Sequence, residues 1–300
     1  MRDSAPIFVV GGTGRHGGTG RAVIRSLIDA SVPVRALART RDERAEALAA
    51  LGAEVVVGDL ADRETLVPAL EGVGTAYFTY PIAGGIVEAA ASFASAARAA
   101  GVKRVVVLSM APAHPQSPSH LGRAQWLAEE MIAWSGVDVL CLRIAGVFFE
   151  NLELLHGREI AQESVMLNAF PDIPVNWVSG ADVARLATEA LLRPEKFGAR
   201  TVVYPGSTEQ YTQSEVAGLI GDFLGRRIEH RTISETEWCE RIIRLAAHDP
   251  RISADMARHI SAVAANLKEP FRPNDMIAEI TGRPPMSLRE ALESGHIGFA

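Results

Sequence analysis

The chain has 300 residues, of which 48 % are hydrophobic, 22 % charged and 6 % aromatic, and it carries a formal net charge of −6. This composition describes a soluble globular α/β protein whose interior is supplied largely by Ala and Val, and the acidic balance leaves no basic footprint for nucleic acid. At this length one main domain with a smaller appended lobe fits better than two large domains.

The two cysteines, Cys141 in an apolar run and Cys239 on a predicted helix, build neither a disulfide framework nor a metal cluster. They read as buried spectators in a reducing compartment. MRDSAP leads straight into the first apolar run, leaving no room for a signal peptide. No apolar stretch approaches the roughly eighteen residues that a membrane span requires. A cytoplasmic chain that engages neither membrane nor nucleic acid is expected.

Ile7 to Val10 is an unbroken β-branched and aromatic run, suited to a strand buried on both faces of a parallel sheet. It breaks into Gly12, Gly14 and Gly17, spaced G-x-G-x-x-G, and the amphipathic segment Arg21 to Ala30 follows. In that context the first glycine permits the tight turn, the second lets backbone approach a pyrophosphate, and the third lets helix pack closely on strand. The helix then offers its free N–H groups and positive dipole end to phosphate.

The side chain at the end of the next strand, about twenty residues on, meets the adenosine ribose, and an acid there favours NAD. Here Val32 to Ala38 ends in Arg39, Thr40 and Arg41. A guanidinium holds a 2′-phosphate through paired hydrogen bonds, so NADP(H) is the expected cofactor. Arg39 and Arg41 also open the charged helix RDERAEALAAL, a reading that stays open for both.

Downstream, Ala53 to Asp59 reads as a third strand, with a helix beginning at Asp62, and Thr75 to Pro81 as a fourth, with an alanine-rich helix over about Gly84 to Ala100. Val102 to Met110 is a fifth strand. A loop then runs to His120, a helix follows, and VDVLCLRIAG is the sixth strand. Such alternation predicts a Rossmann-type, doubly wound parallel sheet with right-handed crossovers. Ligands then sit beyond the carboxyl ends of the strands, which selects the glycine turn, Arg39, Asp59 with Leu60, Tyr80 with Pro81, Ser109 with Met110, and the segment Gly146 to Asn151. Asp59 serves equally as a cap for the next helix.

Beyond residue 150 the alternation loosens. VNWVS and TVVYPG give two further strands, Ser179 and Asp182 are spaced as a capping pair, and Thr212 with Glu215 opens a helix. A strand is expected around Ile228 to Ile233, then mostly helix. The domain reading is residues 1–150 as the dinucleotide-binding domain with 174–205 returning to it, and 151–173 with 206–300 as a mostly helical C-terminal lobe. Trp126 and Trp134, eight apart on one helix, are expected in the core.

With VVGGTGRHGG, VRALART, VVVGDLADRETLVPALEGV, FFENL, VSGADVARLATEAL, TQSEVAGLIGDFLGR and TGRPPMSLREAL in place, the chain resembles the NmrA-like branch of the atypical short-chain dehydrogenases/reductases over nearly its whole length. The resemblance implies a Rossmann domain binding NADP(H) and a small lobe closing over the nicotinamide. It implies that the loop of Gly11, Gly12, Thr13, Gly14, Arg15, His16 and Gly17 holds the pyrophosphate, Arg39 the 2′-phosphate, and Asp59 with Leu60 the adenine. Departures are equally plain. The wider superfamily carries Tyr-x-x-x-Lys, yet four positions beyond Tyr77, Tyr80, Tyr204 and Tyr211 lie Pro81, Gly84, Thr208 and Glu215. The lysine that family members lacking this pair often keep on the helix after the fifth strand is also absent, that helix offering Arg123 and Gln125. LRIAG replaces the usual Leu-Arg-Pro-Gly.

The groups left for proton work are Ser109, which also suits a strand end, Tyr80, which also suits packing before Pro81, and the loop histidines His114 and His120, of which His120 is the nearer candidate. No His, Cys or acid cluster has metal-ligand spacing. Two readings follow. One is an NADPH-dependent oxidoreductase acting on a small, mostly apolar carbonyl, quinone or enone compound. The other is a non-catalytic NADP(H)-binding redox sensor that engages a regulatory protein partner, and a homodimer is compatible with either.

Overall fold

The computed structural model describes residues 5–14, 18–269 and 271–299. Along the chain the first half comprises β1 (Ile7–Val9), α1 (Thr19–Asp29), β2 (Val34–Ala38), α2 (Glu43–Ala50), β3 (Glu54–Val57), α3 (Arg63–Ala69), β4 (Thr75–Phe78), α4 (Ile86–Ala100), β5 (Arg104–Met110), α5 (His120–Trp134) and β6 (Asp138–Ile144). The second half comprises β7 (Val147–Phe148), α6 (Glu150–Glu163), β8 (Val165–Asn168), β9 (Val175–Val178), α7 (Gly180–Leu192), β10 (Val202–Val203), β11 (Gln210–Tyr211), α8 (Gln213–Leu224), β12 (Glu229–Thr232), α9 (Glu235–Ala246), α10 (Ala254–Ala265), α11 (Met276–Thr281) and α12 (Leu288–Glu293).

The chain folds as two units, the first holding residues 1–115, 122–144 and 183–204, the second 116–121, 145–182 and 205–300. The first unit contains a seven-stranded sheet in the order β10-β6-β5-β4-β1-β2-β3, with every neighbouring pair parallel. Strand order reverses between β1 and β4, which makes their carboxyl ends the switch point where such sheets bind ligands. The central strands β1, β4, β5 and β6 are largely buried, while the edge strand β3 has Glu54 and Val57 exposed. Phe8, Phe78, Phe93, Ala90, Val105 and Ile132 lie in one continuous buried cluster, with Phe78 and Phe93 ring centroids 4.9 Å apart.

The second unit has its own core around Phe149, Trp177, Met166, Val216, Ile220 and Leu288, in which Phe149 and Trp177 stack with centroids 6.1 Å apart. Its strands form a three-stranded sheet, β11-β9-β7, and a parallel pair, β12-β8. The Thr212–Glu215 capping box opens α8, and Ser179 Oγ donates to Asp182 at 2.6 Å.

Three expectations are revised. The strand at Val175–Val178 does not rejoin the large sheet, because its backbone pairs with β7 and β11. Trp134 is not core but 72 % exposed, and Trp126 is half-buried; α5 packs through Ala124, Ala128 and Ile132, and Trp134, two residues past Ile132, points away from that face. Asp59 does not cap α3: the cap is Asp62, whose side chain accepts from Glu64 N.

Candidate functional site

The turn after β1 is set by glycines because there is no room for anything else. Gly11 has φ +84°, and a Cβ there would lie 2.3 Å from Thr79 Cγ2, just after β4; a Cβ on Gly12 would meet Ile24 Cδ1 at 2.5 Å. Gly14 N donates to Gly11 O at 3.0 Å, closing the turn. The close approach of helix to strand is made by Gly20, the second residue of α1, where a Cβ would sit 2.6 Å from the Gly11 carbonyl oxygen. The G-x-G-x-x-G spacing assigns that approach to Gly17, which lies with Arg15 and His16 outside the described residues. Gly18, at φ +59°, precedes α1 as its N-cap, so the helix begins beside the turn and, among the described residues, no side chain caps its first N–H groups.

Arg39 follows β2, exposed, and among the described residues no hydrogen bond or ion pair engages its guanidinium. Its charge acts on the Tyr80 phenol: burial pushes the phenol pKa up first, the Asp59 and Glu88 charges push it further, and Arg39 pulls it back. Arg39, Asp59 and Tyr80 thus share one electrostatic neighbourhood at the ends of β2, β3 and β4. Arg41 turns away, with Nη2 donating to Val55 O at 3.4 Å and Nη1 lying 3.8 Å from Glu46. The sequence reading missed Arg44. From α2 its Nη1 donates to the Thr13 carbonyl at 2.9 Å while its Nη2 and Nε bind Asp42 at 2.5 and 3.0 Å, tying the start of α2 to the glycine turn. Nothing in the sequence near Thr13 signals that contact.

Asp59 Oδ1 accepts from Ala61 N at 2.9 Å, and Thr65 Oγ1 receives the Asp59 N–H at the same distance, which fixes the loop that presents Asp59 and the half-buried Leu60. Tyr80 is half-buried and donates its phenol hydrogen to Gly84 O at 3.3 Å, while Pro81 is exposed.

Ser109, near the end of β5, is buried, and its hydroxyl binds Glu129 of α5. Glu129 is held by Arg143 of β6, through Nε at 2.9 Å and Nη2 at 2.5 Å, and Arg143 Nη1 donates to Tyr204 at 2.7 Å. Burial raises the Glu129 carboxyl above the ordinary range, opposed by the hydrogen bonds from Arg143 and Ser109. Arg143, whose guanidinium keeps its proton, pairs with the Glu129 carboxylate. A carboxylate has no hydrogen to give, so the single Ser109 hydrogen lies on this bond and the hydroxyl keeps only lone pairs for anything else. His120 and His114 are both exposed, His120 as the first residue of α5.

Among the described residues, a turn with no room for a Cβ at Gly11 or Gly12, a helix start without a side-chain cap and a guanidinium with no hydrogen-bond or ion-pair partner are groups of the chemistry that phosphate binding needs. Among the described residues no group of three or more His, Cys, Asp or Glu could hold a metal ion. No described helix is long and apolar enough to cross a membrane.

Fold and site together define a doubly wound α/β protein of the dinucleotide-binding kind. Residues 3–274 match the model of the NmrA-like family, and the chain belongs to that family. It is 29 % identical over 308 aligned positions to an NAD(P)H azoreductase of Xenophilus azovorans, covering 98 % of this chain and 99 % of that one. Its fold is similar to that of an NADPH-dependent quinone oxidoreductase from Escherichia coli complexed with NADPH, with TM-score 0.79, 24 % identity and coverage of 96 % and 99 %. It is similar also to a triphenylmethane reductase of Citrobacter sp. complexed with NADP(H), with TM-score 0.81, 22 % identity and the same coverages.

Proposed function

We propose that this protein is an NADPH-dependent oxidoreductase acting on a small, mostly apolar carbonyl, quinone or enone compound. The observation that carries the reading is the Arg39 guanidinium, which no hydrogen bond or ion pair engages among the described residues, at the end of the strand that pairs with β1 and its glycine turn at the switch point of the sheet, in a chain similar to an NAD(P)H azoreductase over nearly its full length. In this account the turn from Gly11 to Gly17 holds the pyrophosphate, Arg39 the 2′-phosphate, and Asp59 with Leu60 the adenine. Tyr80, Pro81 and Ser109 line the nicotinamide side. NADPH, when bound, supplies the hydride. Ser109 orients the ligand as an acceptor, since its hydrogen is engaged by Glu129. Tyr80, with its phenol pKa raised and its hydrogen directed at Gly84 O, is a poor acid. His120 is therefore the proposed proton donor for neutral acceptors.

The test follows NADPH absorbance with a quinone, an enone and an aromatic aldehyde, using the unmodified chain and His120→Ala. The substitution should lower turnover by about 10²- to 10⁴-fold, the range for one general acid, and leave NADPH binding intact. Engagement of both strand-end hydroxyls by the protein also favours a second reading, an NADP(H)-responsive sensor without turnover. In that case no acceptor would consume NADPH, while NADPH would alter protease sensitivity beyond residue 212.

A further inference from the structure

Gln125 of α5 is 4 % exposed, and its Nε2 is fully buried with no hydrogen-bond partner among the described residues. An amide N–H removed from water and left unmade is costly, and such groups are rare unless a ligand or an ordered water completes them. The position of this one is informative. Gln125 and Glu129 stand four apart on α5, hence on one face of the helix, and Glu129 reaches Ser109 at the end of β5. Because β5 and β6 are parallel, the helix joining them runs back against the strands. Moving from Glu129 one turn toward the start of α5, about 5 Å, moves past the carboxyl edge of the sheet. Ligands of doubly wound sheets bind beyond that edge.

We propose that Gln125 is a ligand-binding residue whose Nε2 donates to an oxygen acceptor, a hydroxyl or carbonyl oxygen, supplied either by the nicotinamide half of the dinucleotide or by the substrate. The proposal rests on the oxidoreductase reading and adds a positioning group to it. An amide donor fixes orientation without transferring a proton. With Ser109 offering only lone pairs, the end of β5 recognises a ligand that brings an acceptor to Gln125 and a donor to Ser109.

The decisive variant is Gln125→Leu, close in volume and without the amide. Thermal melting of the free protein, titration with NADP+, and titration of a naphthoquinone in the presence of saturating NADP+ are measured on the full chain. The free variant should melt at or above the unmodified protein, because an unmade donor has been removed from the interior. A dissociation constant raised about two- to tenfold, as for loss of one neutral hydrogen bond, is expected for NADP+ if the dinucleotide supplies the acceptor, or for the quinone alone if the substrate does. Gln125→Lys, which restores a donor, should recover the affinity that Gln125→Leu loses. A Gln125→Leu protein that melts lower and binds both ligands normally would mean that the amide serves a structural water, and the inference falls. Unchanged melting with unchanged binding overturns it equally. If the unmodified chain binds no NADP+ at all, the oxidoreductase reading falls first and takes this one with it.

Discussion

Replacing Arg39 by Ala isolates cofactor recognition from stability, because among the described residues no hydrogen bond or ion pair engages the guanidinium. The side chain is exposed, so its removal opens no cavity, and the free protein should melt within the small range usual for surface substitutions, about 0.5 kcal/mol. Its expected cost appears only when a 2′-phosphate is present. Hydrogen bonds to a charged group contribute about 1.5–3 kcal/mol, which corresponds to about ten- to 150-fold in affinity. Fluorescence titrations of NADPH and NADH against both proteins should show NADPH affinity falling by that factor with NADH affinity unchanged. Arg44→Met is the matched control: Arg44 binds the Thr13 carbonyl of the turn at 2.9 Å, so its loss should weaken both dinucleotides alike, by about two- to tenfold. Equal weakening of NADH and NADPH by Arg39→Ala, or no weakening of either, would refute the assignment of this guanidinium to the 2′-phosphate.

Gly20→Ala should destabilise the protein by about 1–3 kcal/mol and weaken both dinucleotides, since the new Cβ would meet the Gly11 carbonyl oxygen at 2.6 Å; calorimetry showing an unchanged melting temperature would contradict the close helix-to-turn packing. A second prediction concerns pH. His259 of α10, in hydrogen bond with Ser119 at 2.6 Å, is held by burial at a pKa of about 4, against 6.5 when exposed. Between those values the unfolded chain takes up a proton that the folded one refuses, so stability falls as pH drops from about 6.5 to about 4 and the loss is complete below that. The full effect is about 3 kcal/mol. Denaturation at several pH values should show a shallower acid loss in His259→Asn than in the unmodified chain, and parallel curves would argue against a neutral buried imidazole.

The sheet was legible because its strands are short apolar runs separated by helical periodicity, and because the glycines after Ile7–Val9 stand where a turn at the end of a buried strand must be tight. Boundaries moved by one to three residues, as element ends do. Three kinds of feature were not legible. One was very short strands: β7 and β11 have two residues each, so hydrophobic pattern carries almost no information there. Another was choice among equivalents. Six glycines fall within residues 11–20, and nothing in their spacing marks Gly20 as the one whose Cβ would meet the Gly11 carbonyl oxygen. The last was pairing across long sequence separations. Arg44 meets Thr13 across 31 residues, and Glu129 meets Ser109 across 20; the commitment of the Ser109 hydrogen, which changes what that residue can do, follows from a pairing that no local motif encodes.

Hydride transfer from NADPH by this chain is tested most directly by single-turnover mixing of the protein, one equivalent of NADPH and excess quinone in the absence of oxygen. The expected result is stoichiometric loss of NADPH absorbance with formation of the hydroquinone, faster than with NADH and abolished without protein. Retention of bound NADPH over the same period, with no hydroquinone formed from any quinone and no reduced product from any enone or aldehyde offered, would contradict it.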